Sequence, residues 1–314
     1  MSHLLISENL RASAQELGLN FSKEESFEYD SPEGAALVEK YNITVVPTVI
    51  VSKEAGSSKD FPVIWDQIGS VESDGSFVLR LMVPPYRDLE LGNVVGLVGV
   101  IELTDSKCER CFNVSIVTSQ LSALGVYVST VESIEADSAE GEALIQVFNI
   151  TKIPTVIISP DFLAYRSAVP FFEGAGTFDE NGVFVLREPV PPFKDLQENR
   201  LVGVVQLIQL NDSSCAECYD VRLHSVFLAS VPVAIENTTT FDVSSPEGME
   251  LVEKYNVSKV PTVIVSHDIA EYEPVLADYM GFGTFEDDGW FVVRDLNGLE
   301  VPLKDLSTNE TVSG

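Results

Sequence analysis

Lys-Tyr-Asn-Val-Ser-Lys-Val-Pro-Thr-Val, residues Lys254–Val263, carries a pattern that this chain uses three times. Val-Pro-Thr-Val-Ile at Val46–Ile50 returns as Ile153–Ile157 and Val260–Ile264, so Pro47, Pro154 and Pro261 stand 107 residues apart. A second marker keeps the same step. Cys108-Glu-Arg-Cys111 and Cys215-Ala-Glu-Cys218 are also 107 apart, and each first cysteine precedes its proline by 46 residues. An internal period of this length sets the domain plan before any local reading. It predicts three units, 1–92, 93–199 and 200–314. Counting 107 back from Cys108 and Cys111 lands on Met1 and Leu4, so the first unit has no cysteine pair. The strand that leads into such a pair would fall before residue 1. The first unit is therefore expected to be incomplete, least stable, or completed by a strand from elsewhere.

Composition narrows the function classes. The 314 residues carry 19 basic and 49 acidic side chains, a net charge of −30. Nucleic-acid affinity rests on Lys and Arg neutralising phosphates, so nucleic acid is excluded as a partner class, and anionic membrane surfaces with it. A hydrophobic content of 45% argues for folded domains rather than disorder. No apolar run approaches the roughly 20 residues that span a bilayer. No signal peptide is visible, and with a start that looks truncated the compartment stays open between cytoplasmic and exported. Eight Asn-X-Ser/Thr sites fit a secreted glycoprotein, but three of them, at Asn42, Asn149 and Asn256, recur for a structural reason.

The third unit shows the local plan most fully. Val202–Leu210 is a β-branched apolar run of strand length, matched by Val95–Leu103. Each run hands over to its cysteine pair, and helical spacing follows at Tyr219, Leu223, Val226 and Phe227, or at Phe112, Ile116, Leu121 and Leu124. The pairs are thus expected at helix N-termini. A second strand, Val231–Ile235 or Val126–Val131, leads to a helix opened by Ser31-Pro-Glu-Gly, Ser138-Ala-Glu-Gly or Ser245-Pro-Glu-Gly. Serine caps the free N–H groups, proline suits the first turn, and glutamate meets the positive helix end. Asn42, Asn149 and Asn256 stop these helices in the left-handed conformation. After the proline strand, Asp74-Gly75, Asn181-Gly182 and Asp288-Gly289 mark hairpin tips. Asp88-Leu89, Asp195-Leu196 and Asp305-Leu306 read as short linkers.

Strand, Cys-x-x-Cys, helix, strand, helix, then Val/Ile-Pro-Thr before a strand and hairpin: this order resembles the thioredoxin and protein disulfide isomerase superfamily. The resemblance covers units two and three throughout and unit one from its first helix onward. It implies an α/β fold of three tandem thioredoxin-like domains, the first lacking its cysteine-bearing strand. It further implies thiol–disulfide exchange on protein or peptide disulfides, an upstream reductase, and no cofactor. Residue by residue it implies Cys108 and Cys215 as nucleophiles and Cys111 and Cys218 as resolving thiols. Ile153-Pro154 and Val260-Pro261 would be cis-proline loops holding substrate backbone, and Glu102 would be a buried proton relay, a place that Gln209 takes in unit three. The chain departs from the family in having no tryptophan before the first cysteine and no Gly-Pro or Gly-His between the pair.

Three readings stay open for the pairs: active exchange, a static local disulfide in a redox-silent scaffold or peptide-binding module, and metal binding. No metal site is assigned, because two pairs a hundred residues apart would have to converge. Thiol acidity is set by helix dipoles and nearby cations, so Lys107 and Arg110 are expected to make Cys108 more acidic than Cys215, which has Glu217 beside it. His224 reads as a helix-surface residue, Glu102 as either a relay or a strand-edge acid, and Trp65 and Trp290 as packing residues.

Overall fold

The computed structural model describes residues 19, 21–231, 233–294, 296 and 300–313, so the positions of Met1 and Leu4 lie outside the described residues. The architecture is mixed α/β, with seven α-helices among the described residues. The first sequence repeat runs α1 (Pro32–Tyr41), β1 (Val45–Val46), β2 (Ile50–Val51), α2 (Phe61–Trp65), β3 (Gly69–Val71), β4 (Phe77–Leu79), β5 (Tyr86–Asp88) and β6 (Val94–Val95). The second runs β7 (Val98–Thr104), α3 (Ser115–Ala123), β8 (Val128–Glu135), α4 (Ala139–Phe148), β9 (Lys152–Ile153), β10 (Thr155–Ile158), β11 (Gly176–Phe178), β12 (Phe184–Leu186), β13 (Phe193–Asp195) and β14 (Arg200–Val202). The third runs β15 (Val204–Asn211), α5 (Arg222–Ser230), β16 (Ala234–Asp242), α6 (Pro246–Lys254), β17 (Lys259–Val260), β18 (Thr262–Val265), α7 (Glu273–Tyr279), β19 (Gly283–Phe285), β20 (Phe291–Val293), β21 (Pro302–Asp305) and β22 (Glu310–Ser313).

Two kinds of sheet recur. The larger are five-stranded, in the orders β11-β12-β10-β7-β8 and β16-β15-β18-β20-β19, with β15 parallel to β16 and antiparallel to β18. Among the described residues the first repeat has only the three-stranded counterpart β2-β4-β3. The smaller sheets are β1-β5-β6, β9-β13-β14 and β17-β21-β22. Asp88, Asp195 and Asp305, read from the sequence as linker residues, are strand residues of these small sheets. Their short apolar-polar runs carry too weak an alternation to announce a strand.

The chain packs as two compact units that do not follow the 107-residue step. One holds residues up to Glu102, Ser115–Glu132 and Val156–Leu186; the other holds Leu103–Val114, Ser133–Thr155 and Arg187–Gly314. The first unit builds one cluster from Val51, Phe61, Trp65 and Phe77, and another from Tyr41, Ile43 and Val78. Trp65 is thus a packing residue, 1% exposed. The second unit buries Val205, Leu207, Val263, Val265 and Phe291 against Val221 and Leu228 of the α5 segment and Val275 and Tyr279 of α7. Trp290 packs on a neighbouring cluster of Leu210, Val260 and Ile264. Leu223 and Val226, assigned by spacing to the core face of α5, are instead 57% and 65% exposed. The helix begins only at Arg222, so its inward stripe is Val221, His224–Ser225 and Leu228, a phase that a count started at Tyr219 misses.

The start and stop signals work alike in all three repeats. The Ser31, Ser138 and Ser245 hydroxyls each accept from the N–H three residues on, at 3.0 Å. Asn42, Asn149 and Asn256 close the helices at φ of 48°, 49° and 47°. The guanidinium of Arg80, Arg187 or Arg294, from the following hairpin, donates to the last helix carbonyls, those of residues 41–42, 148–149 and 255–256. A cation there meets the negative end of the helix as well as its orphan carbonyls.

Gly248 has a steric reason for being glycine: a Cβ there would sit 2.0 Å from the Asp242 carbonyl oxygen, and at Gly141 2.2 Å from that of Glu135. Gly248→Ala and Gly141→Ala are expected to lower unfolding free energy by about 1–3 kcal/mol in urea titrations. Gly281→Ala, with open space around it, should stay within about 0.5 kcal/mol. A second expectation concerns β2, bonded among the described residues to β4 alone, whereas β10 and β18 have partners on both sides. Amide exchange at Ile50 and Val51 should be faster than at Ile157, Ile158, Ile264 and Val265; equal protection would mean the β2 edge is covered.

Candidate functional site

Cys108 is joined to Cys111, and Cys215 to Cys218, as disulfides. Neither pair lies on a helix. β7 ends at Thr104 and α3 begins at Ser115, while β15 ends at Asn211 and α5 begins at Arg222. The expectation of a pair at a helix N-terminus is thereby corrected. Asp220, two residues past Cys218, accepts the Arg222 N–H at 3.0 Å and lets the helix start later. Each helix therefore begins four residues past the second cysteine of its pair.

Each disulfide sits in a loop organised by an aspartate. Asp105 accepts the Lys107 N–H through its side chain at 3.0 Å and the Cys108 N–H through its carbonyl at 2.9 Å. Asp212 does the same for Ser214 at 2.8 Å and Cys215 at 3.0 Å. Each aspartate is in turn held by a lysine from the small sheet, Lys194 to Asp105 at 3.2 Å and Lys304 to Asp212 at 2.7 Å. The Lys304–Asp212 pair is enclosed, with side chains 13% and 10% exposed. Burial alone would raise the Asp212 pKa, but the hydrogen bonds from Lys304 and Ser214 outweigh it and hold the carboxyl below its usual range. These four residues were missed in the sequence. The repeat was the available signal, since Asp105 and Asp212 keep the 107 step and Phe-Lys-Asp-Leu at Phe193–Leu196 returns as Leu303–Leu306.

The Val260-Pro261 loop lies against the second cysteine pair. The Ile153-Pro154 and Val260-Pro261 peptides are cis, as is Val46-Pro47. Cys218 Sγ is 3.9 Å from the Val260 carbonyl oxygen. The Val260 backbone is paired with β21, opposite Lys304, and Ile153 with β13, opposite Lys194. The backbone beside each disulfide is thus already engaged within the chain. Around Cys108 a cleft of about 400 Å³ is lined by Asp105, Lys107, Arg110, Lys194 and Arg200, among others. Its cations are matched by carboxylates: Lys107 pairs with Asp137 at 2.5 Å and Arg110 with Glu236 at 3.7 Å. The hydrogen bond to Asp137 raises the Lys107 pKa. Lys107 and Arg110 thus each have a carboxylate partner besides their place next to Cys108 in the sequence.

Glu102 is no strand-edge acid. It is buried at 9% exposure and accepts from the Thr118 hydroxyl at 2.5 Å. Gln209, its counterpart, is 1% exposed, donates to Ser225 at 2.6 Å and accepts from Thr240 at 2.9 Å. His224 is not a surface residue either. The Tyr219 hydroxyl lies 2.8 Å from its Nε2 and donates to the Pro261 carbonyl at 3.0 Å, and the Tyr279 hydroxyl lies 3.5 Å from Nδ1. One proton assignment satisfies all three contacts: Tyr279 donates to Nδ1, Nε2–H donates to Tyr219, and Tyr219 donates to Pro261. The corresponding positions in the second repeat are Phe112, Val117 and Phe172, which can form no such chain.

No protein-family model matches the chain, and no curated protein matches it. Among solved structures, the NTD_N/C domain of alkylhydroperoxide reductase AhpF from Enterococcus faecalis is similar at 15% identity, with 55% of this chain and 83% of that one covered and a TM-score of 0.17. ERdj5 is similar at 16% identity and a TM-score of 0.18, over 55% of this chain and 23% of that one.

Burial lowers the His224 pKa from near 6.5 to about 4. A depressed histidine pKa stabilises the fold fully above the unfolded value and less as pH falls from about 6.5 towards 4, because the unfolded chain then binds the extra proton. Urea titrations across that window should show wild type losing more stability than His224→Gln. Equal losses would mean that His224 titrates freely in the fold.

Proposed function

We propose that the chain is a thiol–disulfide oxidoreductase acting on protein or peptide disulfides through two Cys-x-x-Cys sites, in repeat units 93–199 and 200–314, with 1–92 as a cysteine-free unit. The observation that carries this reading is the seating of the Cys215–Cys218 disulfide against the Val260-Pro261 loop, with Cys218 Sγ 3.9 Å from the Val260 carbonyl. Two Cys-x-x-Cys disulfides at one repeat position, each in an aspartate-organised loop, support it further.

In the reducing direction the step balances as follows. The Cys215 thiolate attacks one sulfur of a substrate disulfide, forming a mixed disulfide and expelling a substrate thiolate, which takes a proton. The Cys218 thiolate then attacks Cys215 Sγ, breaks the mixed disulfide and releases the second substrate thiolate. Two electrons pass to the substrate, and an external dithiol returns them to the protein. Cys108 and Cys111 take the same roles in the other unit, with Pro154 and Pro261 beside the reacting sulfurs.

A second reading, a redox-silent binding module with static disulfides, is favoured by one observation: Thr311 Oγ1 of the same chain lies 4.0 Å from Cys215 Sγ. One experiment separates the two. Reduction of insulin by dithiothreitol should be accelerated by wild type, and Cys108→Ser with Cys215→Ser should abolish the acceleration. No acceleration by wild type would leave the binding reading.

A further inference from the structure

Tyr219 follows Cys218 directly and is held at two points. Its N–H donates to the Pro302 carbonyl at 3.0 Å, and its hydroxyl donates to the Pro261 carbonyl at 3.0 Å. Two neighbouring residues thus meet two successive carbonyls of the proline loop. Cys218 Sγ lies 3.9 Å from that of Val260, and the Tyr219 hydroxyl is bonded to that of Pro261. A phenol has one proton to give. Because Tyr219 gives it to Pro261, the 2.8 Å contact with His224 requires Nε2 to carry the ring proton, which leaves Nδ1 to accept from Tyr279, 3.5 Å away. His224 comes from α5 and Tyr279 from α7, so the Tyr219 hydroxyl is oriented from two helices. In the second repeat Phe112 keeps the main-chain bond, to the Pro192 carbonyl at 2.7 Å, but Phe112, Val117 and Phe172 carry no side-chain group for the rest.

What this chain of bonds does depends on what reduction changes. A disulfide sulfur has no proton to donate, so the Val260 carbonyl receives no S–H bond while Cys215 and Cys218 are joined. Reduction by an external dithiol adds two electrons and two protons, breaks the S–S bond and creates an S–H on Cys218. That S–H is a donor, and the Val260 carbonyl is the acceptor beside it. A bond open only to the reduced pair draws the thiol–disulfide equilibrium towards the thiols, and its strength depends on where the carbonyl is held. We propose that His224 is a positioning residue for the second disulfide. Acting through Tyr219, it holds the Pro261 carbonyl and so keeps the adjoining Val260 carbonyl in place to accept from the reduced Cys218. The second repeat has apolar residues at all three positions, which makes Cys108–Cys111 an internal control. The role deepens the exchange reading and draws its use from it, but the equilibrium exists whether or not a protein substrate is reduced.

The test equilibrates the full chain in glutathione and dithiothreitol buffers of graded ratio, quenches with acid and alkylates with N-ethylmaleimide. Peptide mass mapping then gives the reduced fraction of each pair separately. Tyr219→Phe with His224→Val and Tyr279→Phe installs the second repeat's residues and removes all three side chains together, so no histidine or tyrosine is left unpaired. In this variant the Cys215–Cys218 equilibrium should move about threefold to tenfold towards the disulfide, the worth of one net hydrogen bond, while Cys108–Cys111 stays within about twofold. His224→Gln keeps a donor and an acceptor at that place and should match wild type. Tyr219→Phe alone decides by the same criteria if the triple variant fails to fold. No shift in the folded variant, or an equal shift at both pairs, overturns the proposal. So does a His224→Gln value as far from wild type as the triple variant's. If wild type does not accelerate insulin reduction while the Cys215–Cys218 equilibrium shifts as stated, the exchange reading fails and the positioning role stands.

Discussion

The cross-strand row that joins the proline loop to the hairpin lysine organises everything near the cysteines. Lys304 stands between Val260 and Thr311 in the small sheet and spends its ammonium on Asp212, which shapes the loop carrying Cys215. Lys194 does the same between Ile153 and Leu201 for the loop carrying Cys108. An enclosed ion pair of this kind is weak as net stabilisation but expensive to break on one side. Its value here is geometric: it fixes a short loop, which has no helix to hold it, against a two-residue strand. The first repeat keeps the same row as Val46, Arg87 and Val94. It has no Cys-x-x-Cys to hold, so the small sheet is a structural constant and the disulfide loop an addition to it.

The two disulfide sites share this scaffold and differ in what lies behind it. In the third repeat Tyr219, His224 and Tyr279 make a chain of hydrogen bonds that ends on the Pro261 carbonyl. In the second, the same repeat positions hold Phe112, Val117 and Phe172, and Phe172 packs edge-on against Phe162 and Phe184. A polar chain of this kind specifies orientation because each member must find its partner, whereas the aromatic packing only fills volume. On the preceding strands both repeats bury a hydrogen-bonded polar group, the carboxyl of Glu102 in one and the amide of Gln209 in the other. The two sites are thus two settings of one loop.

Charge needed the same caution. A chain with a net charge of −30 still places four cations around Cys108, and the linear sequence reads two of them, Lys107 and Arg110, as acidifying neighbours. In the fold, Lys107 turns to Asp137 and Arg110 to Glu236. With 49 acidic side chains available, a cation next to a cysteine in sequence is more readily taken by a carboxylate nearby in space.

What the sequence determined by itself was everything written in local chemistry and repeated at a fixed step. The serine caps, the left-handed asparagines, the Asn-Gly and Asp-Gly hairpins, the buried strands and the pairing of Cys-x-x-Cys with Val/Ile-Pro-Thr all depend on residues a few positions apart, so spacing alone exposes them. Tertiary structure decided what depends on partners far along the chain. It moved the helix starts beyond the cysteines, turned presumed linkers into strands, buried His224 between two tyrosines and drew each hairpin lysine across to an aspartate about 90 residues away. The repeat marks that these residues recur but not what they meet, because a two-residue strand and a single ion pair take their meaning only from what the fold brings opposite them.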